Sequence, residues 1–362
     1  MLRRNNISSL LVLCLALVLA ACAQGQPILL ISRTPPLASE APVPASPATG
    51  TPSPAKSPTA TSAGSQAPAD TLIALESTSP DLAETSTRSL PLVVTETNQV
   101  RFAAIGDYGA GGQAEADVAA LVAGWNPDFV ITLGDNNYPS GSASTIDEHI
   151  GQFYCAYIYP YDGAYCPQEK PQGEINRFFP SLGNHDWDTA LAAAYLDYFT
   201  LPGNERYYDF EWGPMHFFVL DSDSREPDGV GGSSIQAEWL QAGLAESEST
   251  WNVVYMHHPP YSSGLHGSVE WMRWPYREWG ADLVLAGHDH TYERLEVDGL
   301  TYLVNGLGGG AIYFFTSPLP GSQFRYNEDY GALLLTVDDT NLTSEFYDRG
   351  GELIDTVEFT KP

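Results

Sequence analysis

Basic residues are scarce in this chain. Its 362 residues hold 16 Lys and Arg against 45 Asp and Glu, a formal net charge of −29 at pH 7. Such a surface repels nucleic acid at long range, so no nucleic-acid partner is expected. Cysteine is nearly missing as well, with four in all and no CxxC spacing, which removes the usual structural zinc motifs. Past Leu10–Leu19 no apolar run is long enough to span a bilayer. Residues 23–97 lack Phe, Tyr, Trp and Cys and are rich in Ala, Pro, Ser and Thr. They cannot bury enough apolar surface to offset chain entropy, and the expectation is a disordered tether.

What is present begins with an export signal. Arg3 and Arg4 precede the short apolar run, and Leu19-Ala20-Ala21-Cys22 resembles a bacterial lipobox. That resemblance implies a lipoprotein signal over residues 1–22 and a lipid on Cys22. The protein would then be exported and anchored to the bacterial cell membrane, its folded domain outside the cytoplasm. An ordinary secretory signal with an Ala-x-Ala cleavage site is the alternative. Cys14 falls within the signal, leaving Cys155 and Cys166 as an even pair in an exported protein; a disulfide is expected, two free thiols being the other reading.

The folded domain is expected over 98–362. Arg101–Ile105 and Asp128–Leu133 read as buried strands, and Gln113–Trp125 between them has helical spacing. That is a βαβ unit with parallel strands. Ser144–Tyr165 reads as a Tyr-rich insertion near the site mouth. Thr189–Phe199 reads as one helix with Leu191, Tyr195 and Leu196 on a single face. Tyr207–Trp212 and Met215–Asp221 pair around Gly213-Pro214, and Ser233 with Gln236 forms a capping box for a helix through Ala245. Strands at Asn252–Met256 and Asp282–Ala286 flank a helix around Val269–Trp279. Asp298-Gly299 marks a hairpin between Glu293–Val297 and Thr301–Val304, and a β-meander closes the chain. The fold class is α/β with a large mixed or two-layered sheet.

Polar residues cluster where apolar runs end. Asp107 follows the first strand and Asp135 the second, with Tyr138 three residues on; Asn184-His185-Asp186 follows Phe178–Leu182. His257-His258 follows the run to Met256, and His288-Asp289-His290 the run to Ala286. Open α/β sheets place their chemistry at these strand ends. Carboxylate, phenol, amide and imidazole donors gathered at one edge suit a metal pair about 3.5–4 Å apart, with a carboxylate such as Asp135 as bridge. His149 and His216 belong to no such cluster and read as structural.

Gly106-Asp107, Gly134-Asp135-Asn136-Asn137-Tyr138, Gly183-Asn184-His185-Asp186, Met256-His257 and Gly287-His288-Asp289-His290 resemble, in order, the five blocks of calcineurin-like metallophosphoesterases. Tyr138 resembles the purple acid phosphatase branch, and the compact spacing its tartrate-resistant type. The resemblance implies a sandwich of two mixed β-sheets flanked by helices. It implies Fe(III) on Asp107, Tyr138 and His290, a second ion (Fe(II), Zn or Mn) on Asn184, His257 and His288, and Asp135 as the bridge. His258 is the alternative to His257. His185 and His266 would be the catalytic histidines, His266 lying nine residues after His257 as in the tartrate-resistant type. Asp289 and Tyr292 would orient ligands, and Asp186 and Trp187 would line the entrance. The implied reaction is hydrolysis of a small phosphate monoester by a hydroxide held on the metals. A phosphodiesterase on the same core is the runner-up, and a non-catalytic metal- or phosphate-binding lipoprotein the third reading.

Overall fold

The computed structural model describes residues 99–167 and 174–361. The expected signal, Cys22 and the tether at 23–97 lie outside the described residues. Among the described residues no helix is long and apolar enough to cross a membrane.

Val100–Ile105 (β1) and Phe129–Thr132 (β2) run parallel, with Phe102 opposite Phe129, and the helix Gln113–Trp125 joins them. That helix buries Val118, Ala119 and Val122 and stops at Asn126 in the left-handed conformation, a common helix terminator. Phe178–Pro180 (β3) extends the parallel set. Tyr208–Trp212 (β4) and Met215–Val219 (β5) form the expected hairpin, and Trp251–Tyr255 (β6) and Leu283–Ala286 (β7) follow in parallel. Tyr292–Val297 (β8) and Leu300–Asn305 (β9) turn back at Asp298-Gly299, both at positive φ as such a turn requires. Ser322–Tyr326 (β10) pairs with β8, and Gly331–Val337 (β11), Asn341–Asp348 (β12) and Leu353–Thr360 (β13) form the meander.

These strands make two mixed sheets, one ordered β13-β12-β11-β1-β2-β3 and the other β10-β8-β9-β7-β6-β5-β4. Aromatic rings join their inner faces. Phe129 lies 5.4 Å from Phe217 and 4.8 Å from Trp212, and Phe179 stacks on Phe210 at 3.8 Å. Each such pair adds about 0.5–1.5 kcal/mol beyond its area burial. The outer face of the seven-stranded sheet is covered by the helix Ile235–Glu246, whose Leu240 and Leu244 pack with Phe218 and Val254.

Several local expectations are corrected. Thr189–Phe199 is not one helix: a turn at Ala190–Ala192 precedes the helix Ala193–Tyr198, with Leu191 and Ala192 at φ 58 and 53. Leu191 is 73% exposed and leaves the face it was to share with Tyr195. Anchors override propensity there, Thr189 on Ser140 and Gly141 and Tyr195 on Pro180. Val269–Trp279 splits into Glu270–Met272 and Tyr276–Trp279, because Pro275 lacks an N–H and restricts Trp274. Ser234, not Ser233, caps its helix by accepting from the Ala237 amide at 3.2 Å. Gln236 instead turns to Asp221, accepting from its amide and donating to its carbonyl. The edge strand β10 carried too weak an apolar alternation to be expected. Within Ser144–Tyr165, short helical turns at Asp147–Gly151 and Gln152–Tyr154 lead into a Cys155–Cys166 disulfide with Cα atoms 5.7 Å apart.

Candidate metal centre

Three parallel strands of the six-stranded sheet end at Asp107, at Asp135 with Tyr138, and at Asn184. Two of the seven-stranded sheet end at His257 and at His288 with His290. The chain reaches these positions through unusual backbone. Asp107, Asp135 and His288 all hold positive φ, at 55, 51 and 69. Each costs about 1–2 kcal/mol, the kind of strain concentrated at functional sites. Gly134 at φ 82 is required twice over, since a Cβ there would sit 2.6 Å from the His257 ring.

The donors fall into two groups that share one oxygen. In the first, Tyr138 Oη lies 3.2 Å from Asp107 Oδ1, 3.1 Å from His290 Nε2 and 3.0 Å from Asp135 Oδ2. In the second, His257 Nε2 lies 3.4 Å from Asp135 Oδ2, 3.1 Å from Asn184 Oδ1 and 3.2 Å from His288 Nδ1. Asp135 Oδ2 faces both. His288 and His290 go to different groups, the chain making a left-handed turn at His288.

Backbone groups aim these atoms. His257 Nδ1 pairs with Leu133 O and His290 Nδ1 with Ala311 O, both at 2.8 Å, which turns each Nε2 to the centre. The His288 amide donates to Asp107 Oδ2 and the His185 amide to Asp135 Oδ1, which turns the other oxygens to the cluster. His185 Nδ1 donates to Pro139 O, so its Nε2 faces the cluster, 3.9 Å from Asp135 Oδ2.

The protonation demands of the buried groups conflict. Burial opposes charge on Asp135, yet the facing His257, and then His185, hold its carboxyl well below the usual range. Burial opposes charge on His257, but Asp135 and Asp107 raise it to about 10. Burial pushes the Tyr138 phenol far up, and Asp107 and Asp135 push it further. Burial and the neighbouring His257 push His288 far down. With its Nδ1 proton on Leu133 O, His257 turns Nε2 toward two acceptor oxygens. Either a second proton or a cation must sit among them. The donor set therefore fits metal ions, anionic oxygen on one side and imidazole with amide oxygen on the other.

The remaining expected residues divide. His266 is exposed and stacks on His288, ring centroids 4.4 Å apart. His258 also places a nitrogen near His257 and His288, but its Nδ1 meets Ser222 Oγ at 2.9 Å, and burial and His257 lower its pKa to about 3. Asp289 orients no donor; it binds Ser262 Oγ and the amides of His266 and Gly267, tethering that loop. Tyr292 points away, to Asp355. Asp186 and Trp187 do not line the entrance; both are buried. Asp186 clamps Asn136 to Gly183, and Trp187 donates to Asp221. His149 and His216 lie outside the cluster, His216 between Asp209 and Ser247. Arg225 went unnoticed in the sequence: it binds Asn184 O, Asp188 and Asp223, and no local pattern marks it.

The sequence model of the calcineurin-like phosphoesterase family matches residues 100–292. Purple acid phosphatase 23 of Arabidopsis thaliana is 26% identical over 270 residues, covering 65% of this chain and 58% of that protein. Purple acid phosphatase 17 of the same plant is 25% identical over 296 residues, covering 70% and 82%. The chain thus spans less than two thirds of the first relative. The solved purple acid phosphatase PPD1 from yellow lupin (Lupinus luteus) seeds shares the fold, with a TM-score of 0.56 at 19% identity over 72% of this chain and 54% of that one. The family match takes in more than half of the chain and all seven donors, and on that ground the chain belongs to the calcineurin-like phosphoesterase family.

Proposed function

We propose that the protein is a metal-dependent phosphomonoesterase of the purple acid phosphatase type. One observation carries the reading: seven donors arranged as two groups that share Asp135 Oδ2. Asp107, Tyr138 and His290 would hold a hard trivalent ion, with iron as the fit to a phenolate. Asn184, His257 and His288 would hold Fe(II), Zn or Mn. Bound there, such ions supply positive charge against phosphate oxygens and acidify water.

The chain's own residues do the rest. The His288 and His185 amides hold the two carboxylates in place, and the Leu133 and Ala311 carbonyls hold two imidazole rings. His185 is the proton donor to the leaving oxygen: its Nδ1 is fixed on Pro139 O, so the proton it offers is on Nε2. Asp188 places an oxygen 3.9 Å from His185 Nδ1. His266, stacked over His288 and held by Asp289 through its amide, is the second candidate donor at the mouth. The lipobox-like Leu19–Cys22 supports export with a lipid on Cys22, and Cys22→Ser should move the protein out of the membrane fraction.

Steady-state rates on a phosphate monoester, a diester and a cyclic nucleotide, with metal analysis of the same sample, test the reading. Faster turnover of the diester or cyclic nucleotide would replace it with a phosphodiesterase. A metal-loaded protein inert to all three would leave a binding protein.

A further inference from the structure

The three donors of the first group hang on two loops. Asp107, Tyr138 and His290 follow three different strands, so no local pattern sets their spacing. The turn after β1 reaches one of them: the Gly109 carbonyl accepts from the Tyr138 amide at 2.7 Å. The glycine-rich segment 306–310 reaches the other two. Its Gly308 and Gly310 amides donate to Gly106 O and Asp107 O at 2.9 and 2.8 Å. The next residue, Ala311, supplies the carbonyl that aims His290.

One residue meets both loops. Glu115, in the first turn of the helix after β1, is fully buried. Its Oε2 accepts from the Gly111 amide at 2.7 Å, and its Oε1 meets no hydrogen-bond partner among the described residues. Segment 306–310 lies against its backbone, since a Cβ on Gly309 would come within 2.7 Å of Glu115 Cα and Cβ. Burial pushes this carboxyl well above the usual carboxylate range, against the pull of the Gly111 and Ala110 amides. At neutral pH it is a neutral acid, an acceptor for the turn rather than a charge. A position that only needed filling would take an apolar residue, as Val118 and Val122 do in the same helix.

We infer that Glu115 is the positioning residue of the first group: by tying the turn after β1 to segment 306–310 it sets the spacing of Asp107, Tyr138 and His290. The inference rests on the reading above that these three hold one ion. Glu115 touches neither ion nor substrate and acts through the backbone that carries the donors.

The test reads the centre with and without metal. In metal-loaded protein, Glu115→Ala should weaken one of the two ions by about 10–100-fold and leave the other bound. The ion lost should be the one that Asp107→Asn also loses. In metal-free protein, hydrogen exchange at the Tyr138, Gly308 and Gly310 amides should quicken by about tenfold. Glu115→Gln, which keeps the acceptor oxygen, should restore most of both. Gly309→Ala, which pushes on Glu115 from the other loop, should reproduce both losses, and it carries the comparison if the Glu115→Ala protein does not fold. Val118→Ala thins the packing of the same helix and should leave the ion affinities and the three amides as in the wild type. Loss of both ions, loss of the ion that Asn184→Ala loses, unchanged exchange, no rescue by Glu115→Gln, or the same changes from Val118→Ala overturns the inference and leaves the metal reading standing. A wild type that binds no ion overturns both.

Discussion

Every oxygen donor of the centre comes from the six-stranded sheet, and every imidazole of the donor set comes from the seven-stranded one. Asp107, Asp135, Tyr138 and Asn184 follow β1, β2 and β3; His257, His288 and His290 follow β6 and β7. Neither sheet holds a complete group alone. The first group takes His290 across the seam, the second takes Asn184 and Asp135 the other way. The centre therefore exists only when the two sheets are packed in register. Bound ions and the Phe129, Phe217, Phe179 and Phe210 seam should hold the same interface together.

Asp135→Asn breaks that arrangement at its one shared atom. Asparagine keeps the shape but removes the charge that serves both groups. We expect kcat/KM to fall on the order of 10³-fold or more, with metal content reduced in both halves by elemental analysis. Loss of one ion alone would show that the two groups are independent and that Asp135 is no bridge.

His185→Gln separates chemistry from metal holding. His185 follows the six-stranded sheet but its ring faces the cluster from the side, tilted against Tyr138 with centroids 4.6 Å apart. Removing a positioned acid costs about 10²–10⁴ in kcat. The metal content should stay unchanged. If it drops with the rate, His185 is holding an ion rather than a proton.

Removing the ions tests the coupling of site to seam. One ion at 100 times its dissociation constant contributes about 2.7 kcal/mol. For a domain of this size that corresponds to a Tm lower by roughly 5–10 °C after chelation. The loss should be recovered on adding metal back. An unchanged Tm would mean that the rings alone hold the sheets and that the donor cluster is mechanically idle.

How much of this could be read from residues follows the same division. The strand ends were legible because each donor follows an apolar run and sits in a short pattern with glycine. Two mixed sheets were expected, but which strand joins which was not legible, since nothing local says that β11 pairs with β1 or that β5 lies across from β2. The buried supports were also hidden. Asp186 reaches Asn136 fifty residues away and Arg225 reaches Asn184 across forty-one, and such contacts leave no periodic trace. Asp289 shows the opposite error. Its place between two histidines suggested a partner for them, whereas it turns to the Ser262–Gly267 loop. Pro275 was a legible helix stop that the apolar spacing of Val269–Trp279 outweighed.

Tyr138→Phe gives the smallest expected change in rate and the sharpest test of the oxygen side. In the protein without an ion, burial and two carboxylates keep the phenol protonated, and it donates to Asp135 and Asp107. Only a strong cation at that point reverses the preference, because its charge outweighs both the burial and the carboxylates. A ferric ion bound to the resulting phenolate should give a broad visible absorption, which the Phe variant loses. Asp107, His290 and Asp135 still surround the position, so kcat/KM should fall by less than about tenfold. The second group, which does not contain Tyr138, should keep its metal. If the wild type is colourless with zinc or manganese in both halves and full activity, the ferric assignment fails. The phenol is then a hydrogen-bond donor to Asp135, and the division of the centre lies between sheets but not between hard and soft ions.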